Sequence, residues 1–455
     1  MKNRVGRVLQ GARAPRLGAG WRGAFAAALL GAAGLARADA VTDWDAIAAT
    51  TITPPPGTTF LNVTSSEQRP IYQVDLSTLH LAIYDAVNSI DRRHEPYAAM
   101  PTTPTRGASQ EAAAVGAAYG VLKGLFPNRS SLYQPQYDAY LAASAGNPAR
   151  QRGLAIGAEV AAEWLSIRAN DGRLTPTSYT STGVPGDFEP GPTPLVNPFL
   201  PFVKPFAIPS ADRFRAPGPP SLASEDYADG LNEVQAYGST ASTLRSADDS
   251  DLARFHTEAP PIFWPRNLRR FASDRQSIAD NARLLALLWV THADALLGCF
   301  ESKYHYRFWR PRTAIPRAAE DGNAETTADA GWTPFMPTPN HPEYPAAHSC
   351  GHGAMAEALR EFYGTKKLHF TEDSAVAGLL TPVRSFDSTD EAVREVADAR
   401  VFGGMHYRFS TEDGAELGRR TTKWIGKRFF RAIDDRDHED DRDDDRDHDR
   451  DHDRH

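Results

Sequence analysis

Several stretches of this chain place apolar residues three and four positions apart, the repeat that lines one face of an α-helix. The clearest is Leu76 to Ile90, and Ala108 to Leu125, Gln151 to Ala169 and Ser277 to Leu297 follow it. In the last third come Gly351 to Phe362, Asp390 to Phe402 and Thr411 to Phe430. Alternation of apolar and polar residues, the mark of a half-buried strand, is scarce, and no Asn-Gly turn joins two alternating runs. The pattern predicts an all-α helical bundle.

Residues 172–223 break the periodicity. They are rich in Pro, Gly, Ser and Thr and predict a long irregular connection between two helical halves. Such a segment is a lid or binding surface on one reading and plain surface wrapping on the other.

The two ends differ from the middle. Lys2 to Arg22 is basic with no acid, Ala24 to Leu35 is apolar, and Ala36-Arg37-Ala38 brings small residues at a cleavage spacing. Residues 1–38 therefore predict a secretory signal peptide, without the adjacent arginine pair of the twin-arginine route; the competing reading is an uncleaved amphipathic anchor. Asp434 to His455 alternates Asp, Arg and His, with no apolar residue after Ile433. It predicts a disordered, solvated tail, with loose metal binding by its histidines as a secondary reading. Residues 39–433 are then the helical domain of a protein exported to the periplasm or beyond.

Composition changes this picture little. The net charge of −8 over 455 residues is skewed by the tail. No basic patch with interleaved aromatics argues for a nucleic-acid partner. The best uninterrupted apolar run after the signal, Leu284 to Val290, is less than half of a bilayer span, so no membrane span is predicted in the mature chain. Two cysteines, Cys299 and Cys350, allow at most one disulfide, and unpaired thiols are the favoured reading.

The candidate chemistry lies in three short pieces. In Lys303-Tyr-His-Tyr-Arg-Phe-Trp-Arg310-Pro311 the two cations stand seven apart, nearly two helical turns, so a helix would carry both on one face. Pro311 disfavours helix at Arg310 and predicts that Arg310 ends it. Lysine brings a point charge and arginine a planar fork, a pair suited to an oxyanion; read alone they are two surface cations, but Tyr304, Tyr306, Phe308 and Trp309 surround them. Pro345-Ala-Ala-His348-Ser349 precedes a helical pattern, which predicts a turn into a helix N-terminus whose free N–H groups favour an anion, with His348 at its mouth. His348 is then an acid–base group or a capping residue, and a metal pair with His352 lacks the glutamate of the zinc-protease motif. In the third piece Gly403-Gly404 predicts a break between Arg400 and His406, leaving Arg400 at a helix end and His406 on the turn beyond.

In this order the three pieces resemble the signature of the type 2 phosphatidic acid phosphatase and vanadium haloperoxidase superfamily: Lys-x6-Arg-Pro, Pro-Ser-Gly-His and Ser-Arg-x5-His. Lys303, Arg310 and Pro311 fit the first, and Pro345 and His348 the second, with Ala346 and Ala347 for Ser and Gly. Arg400 and His406 fit the third, with Ala399 for Ser. The detailed match covers residues 280–420; the first half resembles the soluble haloperoxidase branch in helical character and length. The resemblance implies that Lys303, Arg310 and Arg400 bind the equatorial oxygens of vanadate or phosphate and that the Ala347 N–H adds a donor. It implies that His406 bonds the central atom, as vanadium ligand or as phosphate-attacking nucleophile, and that His348 serves the opposite apical oxygen. His341 resembles the second histidine of algal bromoperoxidases, beside the halide, where chloroperoxidases carry Phe.

The resemblance thus implies a vanadate cofactor, with peroxide and halide as small-molecule substrates. One alternative is an exported acid phosphatase that hydrolyses a phosphate ester through a phosphohistidine, without a cofactor. The other is an exported oxyanion-binding protein without turnover, because Ala346 lacks the usual serine hydroxyl. A lost bond to a charged group costs about 1.5–3 kcal/mol.

Overall fold

The computed structural model describes residues 39–53 and 71–433, so the predicted signal peptide and tail lie outside the described residues. The first half contains α1 (Ala40–Ile52), α2 (Tyr72–Asp91), α3 (Gln110–Leu125), α4 (Gln134–Ala143) and α5 (Pro148–Arg168). The second contains α6 (Glu225–Tyr237), α7 (Ala247–Phe255), α8 (Pro260–Arg269), α9 (Ile278–Tyr306) and the single turn α10 (Pro311–Ala314). It closes with α11 (Ala347–Tyr363), the hairpin β1 (Phe370–Asp373) and β2 (Val383–Phe386), α12 (Thr389–Phe402) and α13 (Arg408–Gly426).

Local chemistry starts these helices where the sequence offers an oxygen. Ser109, Ser224, Ser277 and Ser388 each accept from an N–H in the first turn of the following helix, and Ser246 with Asp249 closes a capping box on α7. Each predicted helical stretch overlaps an observed helix. The antiparallel hairpin, with Phe370 opposite Phe386 and Glu372 opposite Arg384, was not legible, because four-residue strands carry almost no period.

α9 is the axis of the molecule. It runs well past the predicted Leu297 and is long and apolar enough to cross a bilayer, against the expectation that no segment is. Yet 94% of its apolar window is buried, so it is a core helix. It packs on α2 from the first half and on α11 and α13 from the second. α11 and α13 approach closely because small residues face each other: a Cβ at Gly418 would overlap the Cys350 carbonyl oxygen.

The irregular excursion is not mere wrapping. Phe188, Phe199, Leu200, Val203 and Ile208 are buried within it. Buried Asp294 on α9 accepts from the N–H groups of Phe206, Ala207 and Ile208 at 2.8, 2.7 and 3.0 Å, which pins the segment over α9. Satisfying these backbone donors lets a Pro-rich stretch lie on a core without orphan groups.

Candidate active site

Lys303 and Arg310 do not share one helix face as predicted. α9 stops at Tyr306, and Arg307 turns left-handed with φ 56°, its N–H closing on the Lys303 carbonyl. The next residues run extended against the excursion: Phe188 N–H donates to Arg307 O at 2.7 Å and Trp309 N–H to Gly186 O at 2.9 Å. Arg310, at φ −87° and ψ 154°, then caps α10. Proline after Arg310 excludes the helical conformation, and the excursion supplies the strand-like partner that the sequence pattern concealed.

The new path still returns Arg310 to the centre. Lys303 Nζ donates to the carbonyl oxygens of Pro342, Glu343 and Pro345 at 3.2, 2.7 and 2.5 Å. Arg310 donates from Nε to His341 O at 3.0 Å and from Nη1 to Met405 O at 3.0 Å; Nη1 also lies 3.2 Å from His406 Nε2, and Nη2 2.9 Å from His341 Nδ1. Arg400 donates from Nη1 to His256 O at 3.0 Å, while its buried Nε has no partner. The double-glycine break forms as predicted: α12 ends at Phe402, Gly404 adopts φ 74°, and His406 emerges before α13.

On its other edge His406 Nδ1 lies 2.8 Å from Glu343 Oε1, which also accepts from Tyr407 N–H at 3.1 Å. Glu343 is fully buried, and its Oε2 has no partner. It is the residue the sequence reading passed over. The available signal was charge balance: three cations drawn together away from water need a counter-charge, and Glu343 stands just before the second piece.

Burial dominates the electrostatics. It holds the Lys303 ammonium well below the usual lysine range, reinforced by Arg310 and Arg400 and opposed by Glu343. It pushes Arg310 down to about 10 and Arg400 down to about 9. It pushes Glu343 up to about 7, outweighing Lys303 and Arg310. His406 is held well below its ordinary value by burial and then by Arg310, so its ring is neutral. His348 moves the same way, through burial first and Arg400 second.

Ala346 is the N-cap of α11 and offers no side-chain cap. Its N–H donates to Ser410 O at 2.9 Å and its carbonyl accepts from Cys350 N–H, while the N–H groups of Ala347 and His348 meet no carbonyl of the described chain. These open donors border a cavity of about 460 Å3 that His341, Ala347, His348, Arg400, Met405 and His406 line. Val196 of the excursion, with Phe300 and Leu296 of α9, forms its apolar side, and Asn197 of the excursion lines it too, which favours the binding-surface reading of that segment. Lys303 and Arg310 do not line the cavity: they stand behind its wall, joined to it through Pro345 and His406 respectively. His352 does not pair with His348 around a metal. Its Nδ1 lies 2.9 Å from the His348 carbonyl oxygen, and no group of metal-ligating side chains forms among the described residues.

Cys299 and Cys350 are joined in a disulfide, contrary to the unpaired thiols that the sequence favoured. Packing of α9 on α11 brings their Cα atoms to 6.4 Å, within bonding reach, a proximity no local pattern encodes.

Comparison with known proteins bears on the family and the fold. Residues 283–435 match the family described as the VCPO second helical-bundle domain. Vanadium chloroperoxidase of Curvularia inaequalis is 25% identical, over 35% of this chain and 34% of its own, so the chain matches about a third of that relative's length. Among solved structures, a bacterial vanadium-dependent iodoperoxidase superposes with a TM-score of 0.66 at 24% identity, covering 85% of this chain and 94% of its own. A bacterial vanadium-dependent chloroperoxidase in its apo form reaches 0.63 at 17% identity, covering 82% and 95%. Residues 283–435 thus carry the sequence of the VCPO second helical-bundle domain, and the described residues adopt the fold of solved vanadium haloperoxidases, consistent with the vanadium haloperoxidase and type 2 phosphatidic acid phosphatase superfamily.

Proposed function

We propose that this protein is an exported, vanadium-dependent haloperoxidase-like enzyme that oxidises halide with hydrogen peroxide. The observation that carries the reading is the meeting of His406, Arg400, His348 and the open N–H groups of Ala347 and His348 on one cavity. The donor set suits vanadate: an unpartnered guanidinium Nε, free helix-start N–H groups and three buried cations balanced by one close carboxylate leave room for a bound anion. Arg400, the Ala347 N–H and His406 would hold it from the cavity, with the charge of Lys303 and Arg310 standing behind the wall. Bound vanadate supplies the activation of peroxide toward halide.

The protein's own groups do the rest. His348 reaches the cavity with no hydrogen-bond partner on its ring among the described residues, and it would be the group that exchanges a proton with whatever binds there, its proton affinity lowered by burial and then by Arg400. Apolar Phe300 and Leu296 lower the polarity of that side of the cavity, which strengthens a charge-assisted bond made there.

The test is to load purified protein with orthovanadate and measure peroxide-dependent bromination, beside phosphate-ester hydrolysis in unloaded protein. Bromination that needs vanadate and vanishes in His406→Ala supports the reading. Hydrolysis without vanadate points to the phosphatase, vanadate binding without turnover to an oxyanion-binding protein, and full activity in His406→Ala removes His406 from the chemistry.

A further inference from the structure

The ring of His406 lies between one group that can only donate and one that can only accept at the contact it makes. A guanidinium has no acceptor, so Arg310 Nη1, 3.2 Å from Nε2, faces a lone pair there. Glu343 Oε1 already accepts from Tyr407 N–H at 3.1 Å, so the proton between Oε1 and Nδ1, 2.8 Å apart, belongs to Nδ1. A proton on Glu343 itself would sit on Oε2, which is buried without a partner, and would leave this assignment unchanged.

Glu343 is itself fixed from several directions. Its N–H donates to Phe308 O at 2.9 Å and its carbonyl accepts from Lys303 Nζ at 2.7 Å. Its carboxylate holds His406 and the first residues leading into α13. One residue, just before the second piece, thus ties the first sequence piece to the third, with its side chain fully buried.

We infer that Glu343 is the positioning residue of this site: by accepting from His406 Nδ1 it fixes the tautomer and the angle of the ring, so that Nε2 keeps a lone pair for the oxyanion's central atom. In this structure Arg310 Nη1 faces that lone pair at 3.2 Å. This role rests on the proposed function for its purpose, but the tautomer is a property of the resting protein.

The experiment reads both. The full chain is prepared with 15N-histidine, and the His406 ring signals are assigned by their loss in His406→Gln. The expected result is a neutral ring protonated on Nδ1. Glu343→Gln keeps an acceptor at this point and should preserve the tautomer, with orthovanadate affinity within tenfold of the parent. Glu343→Leu removes the acceptor, and Glu343→Asp is one methylene short; both should raise the Nε2–H form and weaken orthovanadate binding by about 10–100-fold. Thermal melts of each variant separate this effect from unfolding, and the Asp variant keeps the test open if Leu does not fold. A parent ring protonated on Nε2, or folded Asp and Leu variants with the parent tautomer, overturns the inference. An Nδ1–H parent that binds neither orthovanadate nor phosphate leaves the positioning intact and overturns the proposed function.

Discussion

Lys303 donates to the carbonyl oxygen of Pro345 across 2.5 Å, so the first sequence piece is held against the residue that opens the second. With Pro342 O and Glu343 O as further acceptors, the ammonium shapes the turn that carries Glu343 and opens α11. Lys303→Met would leave three inward carbonyls without their donor. The expected loss is about 3 kcal/mol of unfolding free energy, read by chemical denaturation without any anion. Unchanged stability would mean that the turn stands without Lys303.

Ala346→Ser should tighten orthovanadate binding about tenfold or more, through a hydroxyl donor beside the open N–H groups of α11. The same hydroxyl can cap the helix, which now has no side-chain cap, and add about 1 kcal/mol of stability. Buried Ser349 Oγ has no partner in the described chain, so it is the competing donor for that oxygen. Titrating orthovanadate into both proteins at one pH checks the first expectation and thermal melting the second. Equal affinity would mean that another donor serves the oxygen.

Replacing both Cys299 and Cys350 by serine should cost about 4 kcal/mol, the chain-entropy value for a loop of this length. Dithiothreitol should lower the melting temperature of the parent and leave the double variant unchanged. Equal melting of reduced and oxidised parent would show that packing alone holds α9 on α11.

Asp85 on α2 accepts from Tyr97, Ala98 and Ala99 N–H and from Trp164 Nε1, yet burial pushes its carboxyl up to about 6. The folded value lies above the unfolded one, so the unfolded chain ionises first as pH rises. Stability is then greatest below about pH 4 for this group and falls by about 3 kcal/mol toward pH 6. Asp85→Asn should not show this slope. The stability difference between parent and variant, followed from pH 4 to 7, checks it; a flat difference would mean that the four donors cancel the cost of burial.

Much of the fold was legible because a helix writes its period into the sequence. Ser277 announced α9, Gly403-Gly404 announced the break before His406, and Pro345 with its small neighbours announced the start of α11. The hairpin at Phe370 and Phe386 was too short to show a period. The helical placement of Arg310 failed for a different reason: seven-residue spacing describes a helix only while the helix continues, and Arg307 ends it.

The sequence by itself determined which residues bring charge and imidazole, since Lys303, Arg310, His348, Arg400 and His406 are recognisable by type and spacing alone. It also determined that the chain is helical, because period and capping are local properties. Only the tertiary structure decided that Cys299 meets Cys350, that Glu343 lies against His406, and that Lys303 and Arg310 stand behind the cavity and not in it. These are relations between segments far apart in the chain. Their distances follow from how α9, α11 and α13 pack, and close packing of many side chains at once sets those distances where no local pattern can.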